Sequence, residues 1–183
     1  MRVFLISMTL CSCAPMSVGP PPTKIPDGFH QEFGNTFGVG IQTQDQEVEQ
    51  LFLEKSFWFR KALGKKNEFQ IMGGTVWNGD PIFYGAVGFR RYLMSGDCGI
   101  DIKLGGPFYV EVGMPLQSQL GQRPVWLTFH PSIGINGFGA VHVPVGLIWR
   151  PREKWSLSTS IGIRSVGENP ILLYWNGGFL AHF

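Results

Sequence analysis

Residues 141–150, VHVPVGLIWR, alternate between apolar side chains and small or polar ones. The same rhythm runs through residues 125–135 (VWLTFHPSIGI), 155–164 (WSLSTSIGIR) and 171–183 (ILLYWNGGFLAHF). Successive side chains on a β-strand point to opposite faces of the sheet, so these runs predict strands with one apolar face.

The alternation begins at Phe33 and continues to the C-terminus, giving about ten strands, an even number as in bacterial single-chain barrels. Eight strands remain possible if the first two segments lie outside the barrel. Residues 47–60 also fit one face of a helix, but their consecutive aromatics favour a strand. The sequence Asn78-Gly79-Asp80 predicts a tight hairpin. Pro131 and Pro144 fall inside predicted strands, where we expect them to mark bulges or strand ends.

The composition indicates which way the apolar face points. Charged residues make up 15% of the chain and apolar residues 44%. A water-facing sheet normally carries many charges, whereas the second face here is mostly Gly, Ser, Thr, Asn and His. Many runs reach about ten residues, the length that a tilted strand needs to cross a bilayer. We therefore predict an all-β fold, an antiparallel up-and-down transmembrane β-barrel with its apolar face toward lipid.

A small set of charged residues falls on the polar face, which would line the lumen. These residues are Glu54, Arg60, Arg90, Asp101, Lys103, Glu111 and Arg164. Unpaired charges in a narrow interior are costly, so we expect a salt-bridge network that plugs the barrel. The alternative is a narrow polar channel whose selectivity these groups set.

The last seven residues, GGFLAHF, resemble the C-terminal signal of bacterial outer-membrane β-barrels. Gly178, Ala181 and the terminal Phe183 carry the resemblance, although the pattern favours a larger hydrophobe than Ala181. The resemblance covers the architecture from Phe33 onward. It implies recognition by the barrel-assembly machinery, contact with outer-membrane lipid, and a location in the outer membrane of a Gram-negative-type envelope.

The N-terminal residues 1–12 form a short basic and then apolar segment, too short to cross a bilayer as a helix. Leu10-Cys11-Ser12-Cys13 resembles a lipobox, the signal of bacterial lipoproteins, and this resemblance implies a lipidated Cys13. An ordinary secretory signal with incidental cysteines is the alternative. Residues 13–32 are proline-rich and predict an extended tether outside the sheet, ahead of a barrel domain at 33–183.

One pair of residues resembles a catalytic motif. His130 and Ser132 share a face, and His-x-Ser is similar to the spacing in outer-membrane lipid A deacylases, which are small barrels. Ile133 replaces the Asn expected after the serine, and no acidic residue follows before Glu153. That site should also face lipid, whereas the alternation places both side chains inside. His130 and His142 lack a third metal ligand at a recognisable spacing, so we predict no metal, no cofactor and no catalytic residues.

The remaining charges suggest no further site. The net charge of +2 and the absence of an aromatic–basic patch argue against nucleic-acid binding. Seven basic residues share the turns at one predicted end of the barrel. Attraction to lipid headgroups is one interpretation, and we favour the other, in which they are solvated turn residues. They are Lys61, Lys65, Lys66, Arg123, Arg150, Arg152 and Lys154.

The sequence therefore predicts a small non-enzymatic outer-membrane barrel, either a structural envelope component or a narrow pore. A lipid-tethered soluble barrel that binds a hydrophobic ligand, as in the bacterial lipocalins, would use the same alternation with the apolar face inward. A lipid-modifying hydrolase of the outer membrane is the third possibility. Substrate, ligand and oligomeric state are not encoded in any recognisable motif.

Overall fold

A computed structural model describes residues 23–44, 47–93, 97–105, 109–135, 140–166 and 171–183. These residues form twelve strand segments. They are β1 (Gln31–Gln44), β2 (Glu47–Ala62), β3 (Asn67–Asn78), β4 (Asp80–Leu93), β5 (Cys98–Gly105), β6 (Tyr109–Gly113), β7 (Leu116–Gln119), β8 (Val125–Phe129), β9 (Ser132–Ile135), β10 (Ala140–Arg152), β11 (Trp155–Val166) and β12 (Ile171–His182).

The segments close into one antiparallel barrel. Neighbouring strands pair in sequence order, β12 pairs with β1, and a β10–β11 pairing completes the ring. β6 and β7 are two parts of one wall strand, as are β8 and β9, because the register continues unchanged from Gly113↔Ser132 to Leu116↔Phe129. The twelve segments therefore make ten barrel strands, which confirms the predicted fold class.

The prolines behave differently from the prediction at one of the two positions. Pro131 separates β8 from β9, as expected of a strand end. Pro144 lies inside β10, whose register does not shift there, so the prediction of a bulge or strand end at Pro144 is wrong. The Pro144 carbonyl accepts a hydrogen bond from the His130 backbone amide at 3.2 Å. A backbone amide at position 144 would point toward the same neighbour, His130. The hydrogen bond that a proline cannot donate therefore falls at the existing break between β8 and β9.

The helical alternative for residues 47–60 is also wrong, because these residues belong to β2. The β3–β4 connection is the predicted hairpin, with Gly79 at a positive φ of 82° that glycine adopts without strain. Among the residues that the structure describes, no helix is long and apolar enough to cross a membrane.

The two faces of the barrel wall differ sharply. Large apolar side chains point outward and are exposed; Phe37, Val87, Ile102, Val145 and Ile161 are examples from five strands. We call this outward apolar surface the apolar belt. Inward side chains are buried and include most of the described charged residues of the strands. This arrangement is inverted relative to a soluble barrel, whose apolar side chains would fill the interior.

The barrel has two distinct ends. The terminal end carries the start of β1, the end of β12 and the connections β2–β3, β4–β5, β7–β8 and β10–β11. The opposite end carries the remaining connections. β1 begins at Gln31, two residues inside the segment predicted as tether, because the backbone amides of His30 and Gln31 both donate to the Phe183 carbonyl at 2.9 Å.

Candidate functional site

The lumen holds every residue of the predicted charge network. Arg60, Arg90, Asp101, Lys103, Glu111 and Arg164 all point inward, and none is more than 3% exposed. Glu54 is also inside and accepts a hydrogen bond from the Tyr84 hydroxyl. Their order along the strands divides most of them into two groups, one near the terminal end and one farther into the barrel.

The group near the terminal end is built around Arg60 on β2, and we call it the terminal cluster. Arg60 lies between two carboxylates, with Nη2 at 2.6 Å from Glu32 Oε1 and Nη1 at 3.1 Å from Glu68 Oε2. Trp58 Nε1 donates to Glu32 at 3.1 Å, and the Tyr92 hydroxyl donates to Glu68 at 3.2 Å. Three adjacent strands therefore contribute a buried acid–base–acid triplet whose carboxylates have additional donors.

The second group is centred on Asp101 on β5, and we call it the central cluster. Arg90 Nη2 donates to Asp101 at 2.8 Å, and Gln70 Nε2 donates to its other oxygen at 2.5 Å. Lys103 Nζ lies 2.7 Å from Glu111 and 3.8 Å from Asp101. The cluster thus joins four consecutive wall strands, from β3 to β6, across the inner surface.

Arg164 is inside on β11, on the far wall of the lumen. It pairs in register with His142 of β10 and Leu172 of β12. It is 2% exposed and is therefore as deeply placed as the members of the two clusters.

Glycines opposite large side chains allow this interior to be filled. Gly34 pairs with Trp58, and a Cβ at Gly34 would lie 2.3 Å from the indole ring. Gly162 and Tyr174 repeat this arrangement, with a Cβ only 2.2 Å from the phenol oxygen. The large ring lies in the space that a side chain on the adjacent strand would otherwise occupy, so the lumen is filled at these two levels.

The described N-terminal segment contacts the inside of the barrel at the terminal end. Thr23 and Ile25 are buried, at 1% and 3% exposed. Arg60 Nη1 donates to the Thr23 carbonyl at 2.6 Å, and the Ile25 amide donates to Glu68 at 2.9 Å. The described part of the predicted tether therefore binds the terminal cluster directly, because that cluster supplies both a donor and an acceptor to its backbone.

His130 and Ser132, the pair that resembles a hydrolase motif, are both inside the lumen. They are 1% and 4% exposed, and His130 Nε2 lies 3.5 Å from Asp101. Neither side chain reaches the outer surface, where a membrane lipid would have to approach. Within the described residues, no three His, Cys, Asp or Glu side chains are grouped so that they could hold a metal ion.

The C-terminal residues of the predicted assembly signal complete the barrel. β12 pairs with β1 up to Ala181 and His182, and Phe183 is 69% exposed at the terminal end. Gly178 has a packing requirement of its own, since a Cβ there would lie 2.5 Å from the Asn35 carbonyl. Cys13 and the segment 1–12 lie outside the described residues.

Sequence reasoning missed several inward residues that complete the clusters. Glu32 was assigned to the tether, although it continues the inward series of even-numbered positions on β1. Glu68 and Gln70 share the inward face of β3 with Met72. Extending two alternating runs by one residue would have found Glu32 and Glu68, and Gln70 already lies on the polar face of its run.

Comparisons with known proteins identify the fold but no family. The structure resembles an outer-membrane channel from Pseudomonas putida F1, with a TM-score of 0.55 and 9% identity over 91% of this chain and 100% of that one. Neisserial surface protein A gives a TM-score of 0.46 at 8% identity, covering 84% and 97% of the two chains. The Yersinia pestis attachment invasion locus protein gives 0.44 at 7%, covering 85% and 99%. No family model and no curated protein matches the chain. Of these three structures, only the P. putida channel is similar enough to be used as evidence, and it confirms an outer-membrane-type barrel fold.

Proposed function

We propose that this protein is a structural β-barrel of the bacterial outer membrane, with a closed lumen and no enzymatic role. The observation that carries this proposal is the inverted distribution of side chains, with apolar groups exposed outside and paired charges buried inside. A bilayer is the solvent in which such an exterior is stable. The outer membrane as location agrees with the P. putida neighbour, which is named an outer-membrane channel.

The inside of the barrel supports a closed lumen. Arg60, Arg90 and Lys103 are fully buried and engaged with carboxylates, so they are not available to permeating ions. Thr23 and Ile25 add a covering layer at the terminal end. We therefore interpret the charge network as a polar interior that fixes the barrel's shape.

A narrow pore is the second candidate, since the P. putida neighbour is named a channel. It would require the two clusters to separate. The ligand-binding soluble barrel is not supported, because the large apolar side chains point outward and charged and polar side chains line the described lumen walls. The hydrolase is not supported either, because His130 and Ser132 are enclosed.

The N-terminal features complete the proposal. Lipidation at Cys13 would place an acyl anchor ten residues ahead of Thr23, in the leaflet on the side of the terminal end. Because β1 starts and β12 ends at this end, we assign it to the periplasm. The exposed Phe183 at the same end is positioned to be read by the barrel-assembly machinery.

Single-channel recording in planar bilayers tests the closed lumen. We expect the purified full-length protein to insert without discrete conductance steps, while a known porin inserted under the same conditions gives them. An Arg60→Ala variant, which loses the contacts to Glu32, Glu68 and Thr23, should show more frequent openings than the wild type. Stable steps from the wild-type protein would favour the narrow pore instead.

A further inference from the structure

The balance of basic and acidic residues differs between the two ends of the barrel. Exposed basic residues outnumber exposed acidic ones seven to three at the terminal end. The basic ones, which we call the basic rim, are Lys61, Lys65, Lys66, Arg91, Arg123, Arg152 and Lys154. The acidic ones are Asp27, Asp97 and Glu153. At the opposite end the balance reverses, because the described strand ends there carry Glu47, Glu49 and Asp80 and no Lys or Arg.

Two members of the basic rim lie directly at the edge of the apolar belt. On the outward face of β2, Lys61 follows Phe59, and on the outward face of β4, Arg91 follows Phe89. Successive outward positions are about 7 Å apart along a strand, so both charges lie within a side chain's length of the belt. Lys61 and Arg91 are exposed. Their charges therefore meet the surroundings where an apolar layer ends and water begins.

Aromatic side chains mark the same boundary on the other side of the barrel. Trp155 contacts Trp149 edge-on, with ring centroids 6.4 Å apart, and stacks on Phe179 at 6.2 Å. Exposed Arg152 pairs in register with Trp155 where β10 and β11 meet. Tryptophans beside basic residues are typical of the level of lipid headgroups, where the ring meets both hydrocarbon and polar surroundings.

We infer that Lys61 and Arg91, the members of the basic rim at the belt edge, bind the phosphate groups of anionic phospholipids in the periplasm-facing leaflet. This inference rests on the proposed placement of the barrel in the outer membrane, with its terminal end toward the periplasm. An excess of positive charge at the edge of an apolar belt fits a negatively charged headgroup whose acyl chains cover that belt. A soluble acidic partner would have no need of the adjoining apolar surface.

The chain offers a matched pair of variants. Lys61→Gln/Arg91→Gln removes two charges at the belt edge. Lys65→Gln/Lys66→Gln removes two charges from the β2–β3 turn, farther from the belt but at the same end. Both pairs are exposed, so neither substitution disturbs the buried clusters.

The experiment measures urea unfolding of the full-length protein in vesicles of phosphatidylcholine alone and with a fifth phosphatidylglycerol. We expect the anionic lipid to lower the unfolding equilibrium constant of the wild type roughly tenfold at low salt, and 0.5 M NaCl to remove most of this effect. Lys61→Gln/Arg91→Gln should abolish most of the dependence on anionic lipid. Lys65→Gln/Lys66→Gln should retain most of it.

The outcomes separate the two proposals. A wild-type protein that fails to insert into phosphatidylcholine would refute the membrane placement itself. Normal insertion with the same stability in both lipids would overturn the inference of anionic lipid binding, while the membrane placement would stand. Equal losses in the two double variants would also overturn it, because general attraction between net charges would then explain the effect.

Discussion

The inward and outward side chains of the same strands differ in chemistry and in exposure. On β2 and β3, the inward side chains of Arg60 and Glu68 are buried and form an ion pair at 3.1 Å. On the outward face of these strands, Phe57 and Ile71 are 52% and 44% exposed. A soluble sheet would bury the second pair and solvate the first. Alternation alone therefore identifies the two faces of a strand. The chemical character of the polar face then indicates which face points into the barrel and which points outward.

Breaking the inward face should have the largest effect. Arg60→Met leaves the carboxylates of Glu32 and Glu68 buried without their common partner, which should cost about 3–5 kcal/mol in the free energy of unfolding. Equilibrium unfolding by urea in vesicles measures this cost. Lys61→Met, at the next position but outward and exposed, is the control and should change stability by less than about 0.5 kcal/mol in vesicles of phosphatidylcholine alone, which offer Lys61 no anionic headgroup.

A triple variant sharpens this prediction. Arg60→Met with Glu32→Gln and Glu68→Gln removes the stranded charges and should recover a large part of the lost stability. If Arg60→Met alone costs less than about 1 kcal/mol, water reaches the lumen and the terminal cluster is not a sealed interior.

A charge on the outward face should have the next largest effect. Val145 lies in the middle of the outward series of β10, between Val143 and Leu147, so Val145→Arg places a cation inside the apolar belt. The expected cost is about 2–4 kcal/mol in vesicles. Ser118→Arg, at an exposed position near the terminal end, should cost about 0–1 kcal/mol. Equal costs at both positions would mean that the belt does not face lipid.

Overfilling the lumen should have a smaller effect. Gly34→Ala places a Cβ 2.3 Å from the Trp58 ring, so the indole must move, at a cost of about 1–3 kcal/mol. Gly85→Ala is the control, because the nearest atom to its Cβ would be 3.8 Å away. Trp58→Phe combined with Gly34→Ala should cost less than the sum of the two single changes, as a double-mutant cycle would show. Additive costs would show that the ring and the glycine are not coupled.

The smallest expected effect is a gain in stability. Lys55 points outward between Leu53 and Phe57, inside the apolar belt, and no acidic side chain pairs with it among the described residues. Lys55→Leu should stabilise the barrel in vesicles by about 1–2 kcal/mol, less than a midplane lysine costs, because its long stem lets the ammonium reach toward the interface. We expect no such gain where the outward face contacts water instead of lipid. A loss of stability would indicate that Lys55 has a partner in the membrane.

Most of the fold could be predicted from the sequence, because the direction of each strand side chain follows from its parity. Asp101 and Lys103 were placed inside by the alternation of Ile100, Ile102 and Leu104. Which charges meet could not be predicted, since pairing depends on the register between strands, and that register is set by the turns. The prediction of a bulge or strand end at Pro144 was wrong for the same reason. Only the register shows that the hydrogen bond this proline cannot donate falls at the break beside Pro131.

The contact between the N-terminal segment and the terminal cluster also could not be predicted from the sequence. Thr23 and Ile25 belong to a proline-rich stretch with no strand pattern, and nothing local indicates burial. They are inside because Arg60 and Glu68 have a donor and an acceptor left for the backbone of this segment. Contacts between an irregular segment and a lumen depend on tertiary structure alone.

The most direct test of the account is the behaviour of the full-length protein in fractionated envelopes. We expect it to remain in the outer-membrane pellet after a carbonate wash, and to migrate faster on a gel when unheated than when boiled, because the closed barrel resists detergent until it is heated. A protein that becomes monomeric and water-soluble once residues 1–22 are deleted, with no heat-dependent change in mobility, would contradict the account. Its apolar belt would then have to be covered by something other than lipid.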